Sequence, residues 1–454
     1  MPILTLDELR HLVAAGTIDT VVAAQVDMQG RLMGKRFTAP FFLASAHAES
    51  HSCNYLQATD LEMYTVEGYR SASWEKGYGD YIMKPDLSTL RLTPWLDGTA
   101  LVLADVLDHH HRPVAHSPRA MLQAQIARLA EHGLAPITAT ELEYFLFKES
   151  FEEAEAKGLA GLTPISAYNE DYNIFQTTKE ESVMRAIRNG LLAADVPIEN
   201  TKGEADAGQG EINVRYADAL TMADRHVIIK NAAKEIAWAK GRAITFMAKW
   251  HNRYAGNSAH IHHSLADSAG APAFYDPAAP HGMSGTMRHY LAGVLAHMRE
   301  ITYFLAPYVN SYKRFSPGTF APTKIVWSLD NRTAGVRVVG EETKGVRLEC
   351  RVGGADLNPY LAFAALIAAG LDGLERGLEL ASPFSGDAYQ ASGTLAEVPA
   401  TLREATESLE GSAMLRAAFG DAVVDHYVHA ARWEQAEADR TVTDFDLRRG
   451  FERV

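Results

Sequence analysis

Residues 138–147 set two glutamates into an otherwise apolar and aromatic run, Thr138-Ala139-Thr140-Glu141-Leu142-Glu143-Tyr144-Phe145-Leu146-Phe147. This composition predicts a strand. Side chains on a strand alternate between its faces, so Glu141 and Glu143 share one face while Leu142, Tyr144 and Leu146 share the other. Neighbours on one face lie about 7 Å apart. Two anions at that spacing repel by roughly 2 kcal/mol at an effective dielectric near 20. So apolar a strand is not fully wet, and multivalent cations are the simplest way to hold both charges.

Three further stretches carry the same chemistry. In Gly203-Glu204-Ala205-Asp206-Ala207-Gly208-Gln209-Gly210-Glu211, a glycine-containing turn separates Glu204 from Glu211, which opens a strand. A tight turn brings two such residues to one point. In Ser258-Ala259-His260-Ile261-His262-His263-Ser264, alternation puts His260, His262 and Ser264 on one face. In Arg347-Leu348-Glu349-Cys350-Arg351, two arginines flank a glutamate. Each stretch alone fits a solvated strand face. Taken together, five glutamates and a histidine on strands of one domain suit two divalent metals, and carboxylate-dominated sites favour hard ions such as Mg²⁺ or Mn²⁺. Arginines nearby suit phosphate oxygens and carboxylates. Metal plus arginine is the equipment of phosphoryl transfer.

The 454-residue chain, 47% hydrophobic, is long enough for two or three domains around an ample core. Its formal charge of −14 argues against a nucleic-acid footprint. Two cysteines, Cys53 and Cys350, make neither a disulfide framework nor a cysteine-based zinc site. With no leader-like N-terminus and no apolar run of membrane length, no membrane association and a cytoplasmic location are expected.

An α+β order is predicted. Thr5-Leu6-Asp7-Glu8 reads as a capping box, and strands follow at 20–26, 32–38, 81–83 and 100–106. This gives a β-rich domain over 1–112, ending in the connector His109-His110-His111-Arg112-Pro113, a solvated linker rather than a metal site. In 113–454, Ser117-Pro118 opens a helix that Gly133 stops. Strands are expected at 137–147, 211–216, 243–248, 258–265 and 346–352, helices near 179–194, 217–240, 284–305, 358–377 and 398–418, and a surface loop at 270–281.

These motifs, with Asn310-Ser311-Tyr312-Lys313-Arg314, Pro317-Gly318, Asn331-Arg332-Thr333-Ala334-Gly335-Val336-Arg337 and Asn358-Pro359-Tyr360, resemble the glutamine synthetase family over nearly the whole chain. The resemblance implies a small N-terminal β-grasp domain, then a catalytic domain with a curved antiparallel sheet. It implies hexameric rings, commonly stacked as a homododecamer, with active sites between ring neighbours. It also implies ATP-dependent activation of glutamate as γ-glutamyl phosphate, followed by attack of an amine. Carried over by residue, Glu143, Glu204 and Glu211 hold one metal, and Glu141, His260 and Glu349 the other. Arg314 and Arg351 match arginines that hold glutamate carboxylates, and Gly256 offers a carbonyl to the amino group. Arg332 and Arg337 match phosphate-binding arginines, with Arg314 also in the catalytic set. His262, Ser264, Arg337, Lys344 and Arg347 match nucleotide contacts.

The departures are as informative. The family's flap carries a glutamate in a Pro-Gly-x-Glu-Ala-Pro motif, but here it reads Pro317-Gly318-Thr319-Phe320-Ala321-Pro322. The Asp-Gly-Ser-Ser loop that helps hold ammonium is missing, and the corresponding region reads His51-Ser52-Cys53-Asn54-Tyr55. The usual Asn-Gly-Ser-Gly has become Ala255-Gly256-Asn257-Ser258. The apparatus for activating glutamate is intact, and that for holding ammonium is not. Ammonium needs compensating anions, whereas an apolar flap suits an amine with a carbon substituent, and Phe320 is expected to line its pocket or face its ammonium. The pattern resembles the γ-glutamylamide synthetase branch, which joins glutamate to ethanolamine, polyamines, alkylamines or aromatic amines. Alternatives are an ammonium-using glutamine synthetase and a non-catalytic scaffold. Glu49, His51 and Asp60 are candidate general bases. Tyr389 lies near the position adenylylated in some relatives, within a poorly matching motif.

Overall fold

The computed structural model describes residues 4–391 and 395–454. Thr5 closes the expected capping box with Glu8 and starts the helix Leu6–Ala14. Thr20–Val26 (β1) and Leu32–Thr38 (β2) have the predicted bounds and pair as a hairpin, from Thr20 opposite Thr38 to Val26 opposite Leu32. Its turn is held by the Asp27 carboxylate, which accepts from the amides of Gln29 and Arg31. Ser50–Cys53 (β3), Asp80–Pro85 (β4), Arg91–Leu92 (β5) and Thr99–Leu107 (β6) complete a six-stranded sheet in the order β2-β1-β6-β4-β3, with β5 also on β6. β1 and β6 pair in parallel.

Alternation gives this sheet two apolar faces. Val21 and Ala23 of β1, with Ala100 and Val102 of β6, pack on Leu9 of the first helix. Ala24, Val26, Leu101 and Leu103 face the other way into the large core shared with the rest of the chain. Asn358 ties the hairpin down by donating to the carbonyls of Asp27 and Met28, both at 3.1 Å.

The second sheet has nine strands: Leu134–Leu146 (β7), Ile198–Gly203 (β8), Gln209–Val214 (β9), Ala217–Asp218 (β10), Ile244–Thr245 (β11), Ala259–Asp267 (β12), Trp327–Leu329 (β13), Val336–Val339 (β14) and Arg347–Cys350 (β15). Its main path runs β13-β14-β15-β12-β7-β9-β8, with β10 and β11 also on β7. Pairing is antiparallel except between β13 and β14 at the edge. Helices Glu181–Ala193, Ala219–Ala239 and Pro359–Arg376 fall where predicted. Ser117 sits at the predicted N-cap of Pro118–Glu131, although its side chain makes no capping bond.

Two predicted helices are each divided. The 284–305 region is Gly285–Ala296 followed by Met298–Leu305. At the break, the His297 ring bonds Glu300 and Asp372. The 398–418 region is Leu402–Glu410 and Ala413–Phe419, with Ser412 capping the second. The long helix Asp421–Arg440 that follows has no counterpart in the sequence expectations.

Candidate active site

Strand register assembles the site. β7 is central, and β12 lies along one side of it, with His260 opposite Glu141. β9 lies along the other side, with Glu211 opposite Glu143. β15 sets Glu349 across from His262 and from Arg337 of β14. Glu141 and Glu143 thus share a face but join different clusters. Ligand atoms of Glu141, His260 and Glu349 all lie within 4.8 Å of one another, as do those of Glu143, Glu204 and Glu211.

The first cluster is rich in protein cations and donors. His260 Nδ1 lies 2.9 Å from Glu141 and 3.7 Å from Glu349. Arg347 Nε donates to His262 Nδ1 at 3.2 Å, which leaves His262 Nε2 to donate to Glu141 at 2.7 Å. Arg337 donates to Glu349 at 2.8 Å and to Asp330 at 3.1 Å, and Arg351 bonds the other Glu349 oxygen. Burial alone would raise both carboxyls. For Glu141 the hydrogen bonds from His260 and His262 outweigh it, and for Glu349 the nearby His260 and Arg351 do, so both stay below the usual range. Burial, helped by Arg351, pushes His260 down to about 4, so the imidazole is neutral and able to ligate. One imidazole and two ionised carboxylates at these spacings suit a hard six-coordinate cation, whose adjacent ligands stand about 3 Å apart.

The second cluster is differently supported. Glu143 accepts from the Ser258 amide at 2.7 Å and from Gln209 Nε2 at 3.3 Å. Glu211 accepts from Asn213 at 2.8 Å. The one cation bonded to these three carboxylates among the described residues is Lys202, on Glu204. Burial, with Glu204 beside it, raises Glu143 to about 7. Burial, with Glu141 and Glu143 nearby, raises Glu211 to about 8. Three carboxylates that compete for so little positive charge fit a divalent ion bound by oxygen.

The remaining expected residues divide. Arg351 is buried beside the first cluster. Its Nε has no partner among the described residues, and a terminal nitrogen reaches the Phe320 carbonyl at 3.4 Å. Arg314 is only 2% exposed and donates to Val352 O, Ser258 Oγ and Arg351 O, so it braces the turn that carries Arg351 instead of standing open. The Gly256 carbonyl accepts from Gln209 at 3.0 Å. A side chain at Gly256 would meet both Ala248 O and Arg314 Cγ at 2.6 Å, so this backbone must stay bare. Ser264 is half-buried on β12, and Arg332 and Lys344 are exposed. Phe320 sits at φ +57° and is 56% exposed. A left-handed bulky residue is a strained position.

None of the candidate bases bonds either cluster. Glu49 pairs with His111, the His51 carbonyl accepts from Lys35, and Asp60 accepts from the Tyr64 amide and from Trp433. The Tyr389 hydroxyl is occupied by the Ala321 carbonyl. Three participants were not expected from the sequence: Gln209, whose amide also reaches Asn257 Oδ1 at 3.2 Å, Asp330 behind Arg337, and Lys202. Gln209 lies inside a quoted motif, and only its contacts give it a role.

Residues 115–450 match the glutamine synthetase catalytic domain family. The chain is 50% identical over its full length to a gamma-glutamylethanolamide synthetase of Streptomyces coelicolor, covering 97% of that protein. It is 34% identical to a glutamate–isopropylamine ligase of a Pseudomonas species, over 97% of each chain. Among solved structures, the ADP complex of GmaS superposes with a TM-score of 0.85 at 26% identity, over 98% of this chain and 99% of that one.

Proposed function

The chain belongs to the glutamine synthetase family, and we propose that its substrates are glutamate and a small alkyl amine of the ethanolamine type. It is an ATP-dependent ligase that joins the γ-carboxylate of glutamate to an organic amine through γ-glutamyl phosphate. The observation that carries the amine assignment is the combination of two assembled ligand clusters with a phenyl ring, Phe320, at the flap. A site equipped to activate a carboxylate but lacking the flap acid is matched to an amine that brings carbon.

Glu143, Glu204 and Glu211 would hold one Mg²⁺ or Mn²⁺, and Glu141, His260 and Glu349 a second. Bound there, the ions supply charge neutralisation for the transferring phosphoryl group. Arg337, fixed between Asp330 and Glu349, presents guanidinium charge at the edge of that site. Arg332 supplies a second cation from the adjoining loop. Arg351 offers its unpaired Nε to a substrate carboxylate, with Arg314 fixing its backbone. His262, Ser264 and Arg347, on β12 and β15, border the nucleotide with Lys344. Preset charges of this kind stabilise the phosphoryl transition state with little reorganisation. Phe320 shields the attacking amine and faces its ammonium before the proton leaves.

The N-terminal unit, 1–112, and the catalytic unit, 113–454, form one protomer of a hexameric ring stacked as a dodecamer. Exposed Phe445, Leu447 and Phe451 at the C-terminus support burial against other copies. A cytoplasmic location agrees with two unpaired cysteines and with no described helix long and apolar enough to cross a membrane.

The test is phosphate release with ATP, Mg²⁺ and glutamate across ammonium, methylamine, ethanolamine, isopropylamine, putrescine and aniline, with product mass determined. Ethanolamine or a close alkyl analogue is expected to lead. A best substrate among the polyamines or aromatic amines would reject the assignment.

A further inference from the structure

Lys202 is the feature of the site that the reaction does not use. It lies directly across from Glu211 in the β8–β9 register and two residues before Glu204. It is thus bracketed by two of the three carboxylates of the second cluster, and its ammonium bonds Glu204. The same ammonium lies 3.2 Å from Asp171 and 4.4 Å from the centre of the Tyr172 ring. Asp171 and Tyr172 belong to a segment built tightly onto β8. The Tyr172 amide donates to the Gly203 carbonyl at 3.4 Å, and a side chain at Gly203 would meet the Glu170 carbonyl at 2.3 Å. One lysine therefore touches two seats, a cluster carboxylate on one side and an acid–aromatic pair on a neighbouring segment on the other.

We propose that Lys202 is a displaceable counter-ion: a divalent ion bound by Glu143, Glu204 and Glu211 takes over Glu204, and the ammonium settles on Asp171 and Tyr172, tightening the 168–177 segment against the site. This rests on the reading of the second cluster as a divalent-metal site. The physical reason is competition. An ammonium and a metal ion claim the same carboxylate oxygens, and two cations there repel. Asp171 and the face of Tyr172 offer the released charge a second anion and a ring quadrupole. Lys202 acts through Glu204 and the segment, as a positioning residue. The linkage is reciprocal, since whatever favours Lys202 on its second seat also favours the ion.

The experiment is Mn²⁺ binding, read by the electron paramagnetic resonance of free Mn²⁺, to the full-length enzyme without substrates. Wild type, K202M, K202R, D171N and E204Q are compared, with backbone hydrogen exchange over 168–177 measured before and after Mn²⁺. In wild type, one class of sites is expected to vanish in E204Q; its presence there unchanged would overturn the metal reading, and this proposal with it. K202M is expected to bind that class about tenfold more tightly, within the usual range of site coupling, while K202R stays near wild type. D171N, which removes the second seat at a partly exposed position, is expected to weaken it a few-fold. Exchange over 168–177 is expected to slow with Mn²⁺ in wild type but not in K202M or D171N. Unchanged or weaker binding in K202M, or equal slowing in all variants, overturns the proposal while leaving the metal site intact.

Discussion

The two clusters, both built mainly from glutamates and set side by side on one sheet, solve the problem of buried charge in opposite ways. Around Glu141, His260 and Glu349, the protein supplies the compensation through Arg337, Arg351 and His262, and both carboxylates stay ionised. Around Glu143, Glu204 and Glu211, it supplies one lysine, an amide and two carboxamides, and Glu143 and Glu211 are raised to about 7 and about 8. The first is charged before any ion arrives. The second would exchange protons for an ion bound there. A shared ligand type therefore says little about what a metal must displace, and the neighbours decide it.

The sharpest way to break this contrast is to remove one acid from each cluster. E349Q leaves Arg337 and Arg351 without their shared carboxylate. It is expected to cost about 3–5 kcal/mol of metal-free stability, as breaking a buried pair does, and to abolish turnover. E211Q is also expected to abolish turnover, yet to leave metal-free stability at pH 7 unchanged or higher, because it removes a carboxyl whose ionisation the fold disfavours. Chemical denaturation of both variants checks the signs. Equal losses would mean that the clusters do not differ.

The next effect is in pH. Carboxyls whose folded-state values are raised contribute stability that is complete below their unfolded value, near 4.5, and lost as pH rises through the folded value. Metal-free wild type should therefore lose stability from about 4.5 to about 8, a window to which Glu143 and Glu211 contribute. E211Q should flatten this slope, and saturating Mn²⁺ should remove the share due to Glu143 and Glu211, while Glu170 and Glu180, raised by burial to about 7 and about 8, keep theirs. Melting temperatures at pH 6 and 8.5, with and without Mn²⁺, give the answer. An unchanged slope in E211Q would contradict the assignment.

Smaller effects belong to the rim. F320A is expected to lower kcat/KM for the preferred amine by about tenfold, the order of a lost hydrophobic or cation–π contact, with the KM for ATP unchanged. The smallest effect is expected from K344A. Lys344 is exposed, so the KM for ATP should rise less than about tenfold, with no change in stability.

Much of this was legible in the sequence because the relevant patterns are local. Alternation alone put Glu141 with Glu143 and His260 with His262, and β1 and β2 keep the bounds expected of them. What was not legible depends on strand register and on contacts between separate elements. Lys202 matters because β8 sets it opposite Glu211, and β8 itself has no clear alternation. Gln209 gained its role from a carboxylate, a carbonyl and a carboxamide carried by β7 and the 256–257 turn. At the break, His297 bonds Asp372 of a separate helix, a partner no local pattern announces. The motif match says nothing of Arg314's burial or of its bonds to the Val352 and Arg351 carbonyls, which only the fold supplies.

The flap carries a ring, Phe320, where the family carries an acid. One competition measures this directly: equal concentrations of ¹⁵N-ammonium and ethanolamine, with saturating ATP, glutamate and Mg²⁺, and the two products separated by mass. The account predicts γ-glutamylethanolamide in large excess in wild type, with the share of glutamine rising in F320E. Glutamine as the main wild-type product would contradict it.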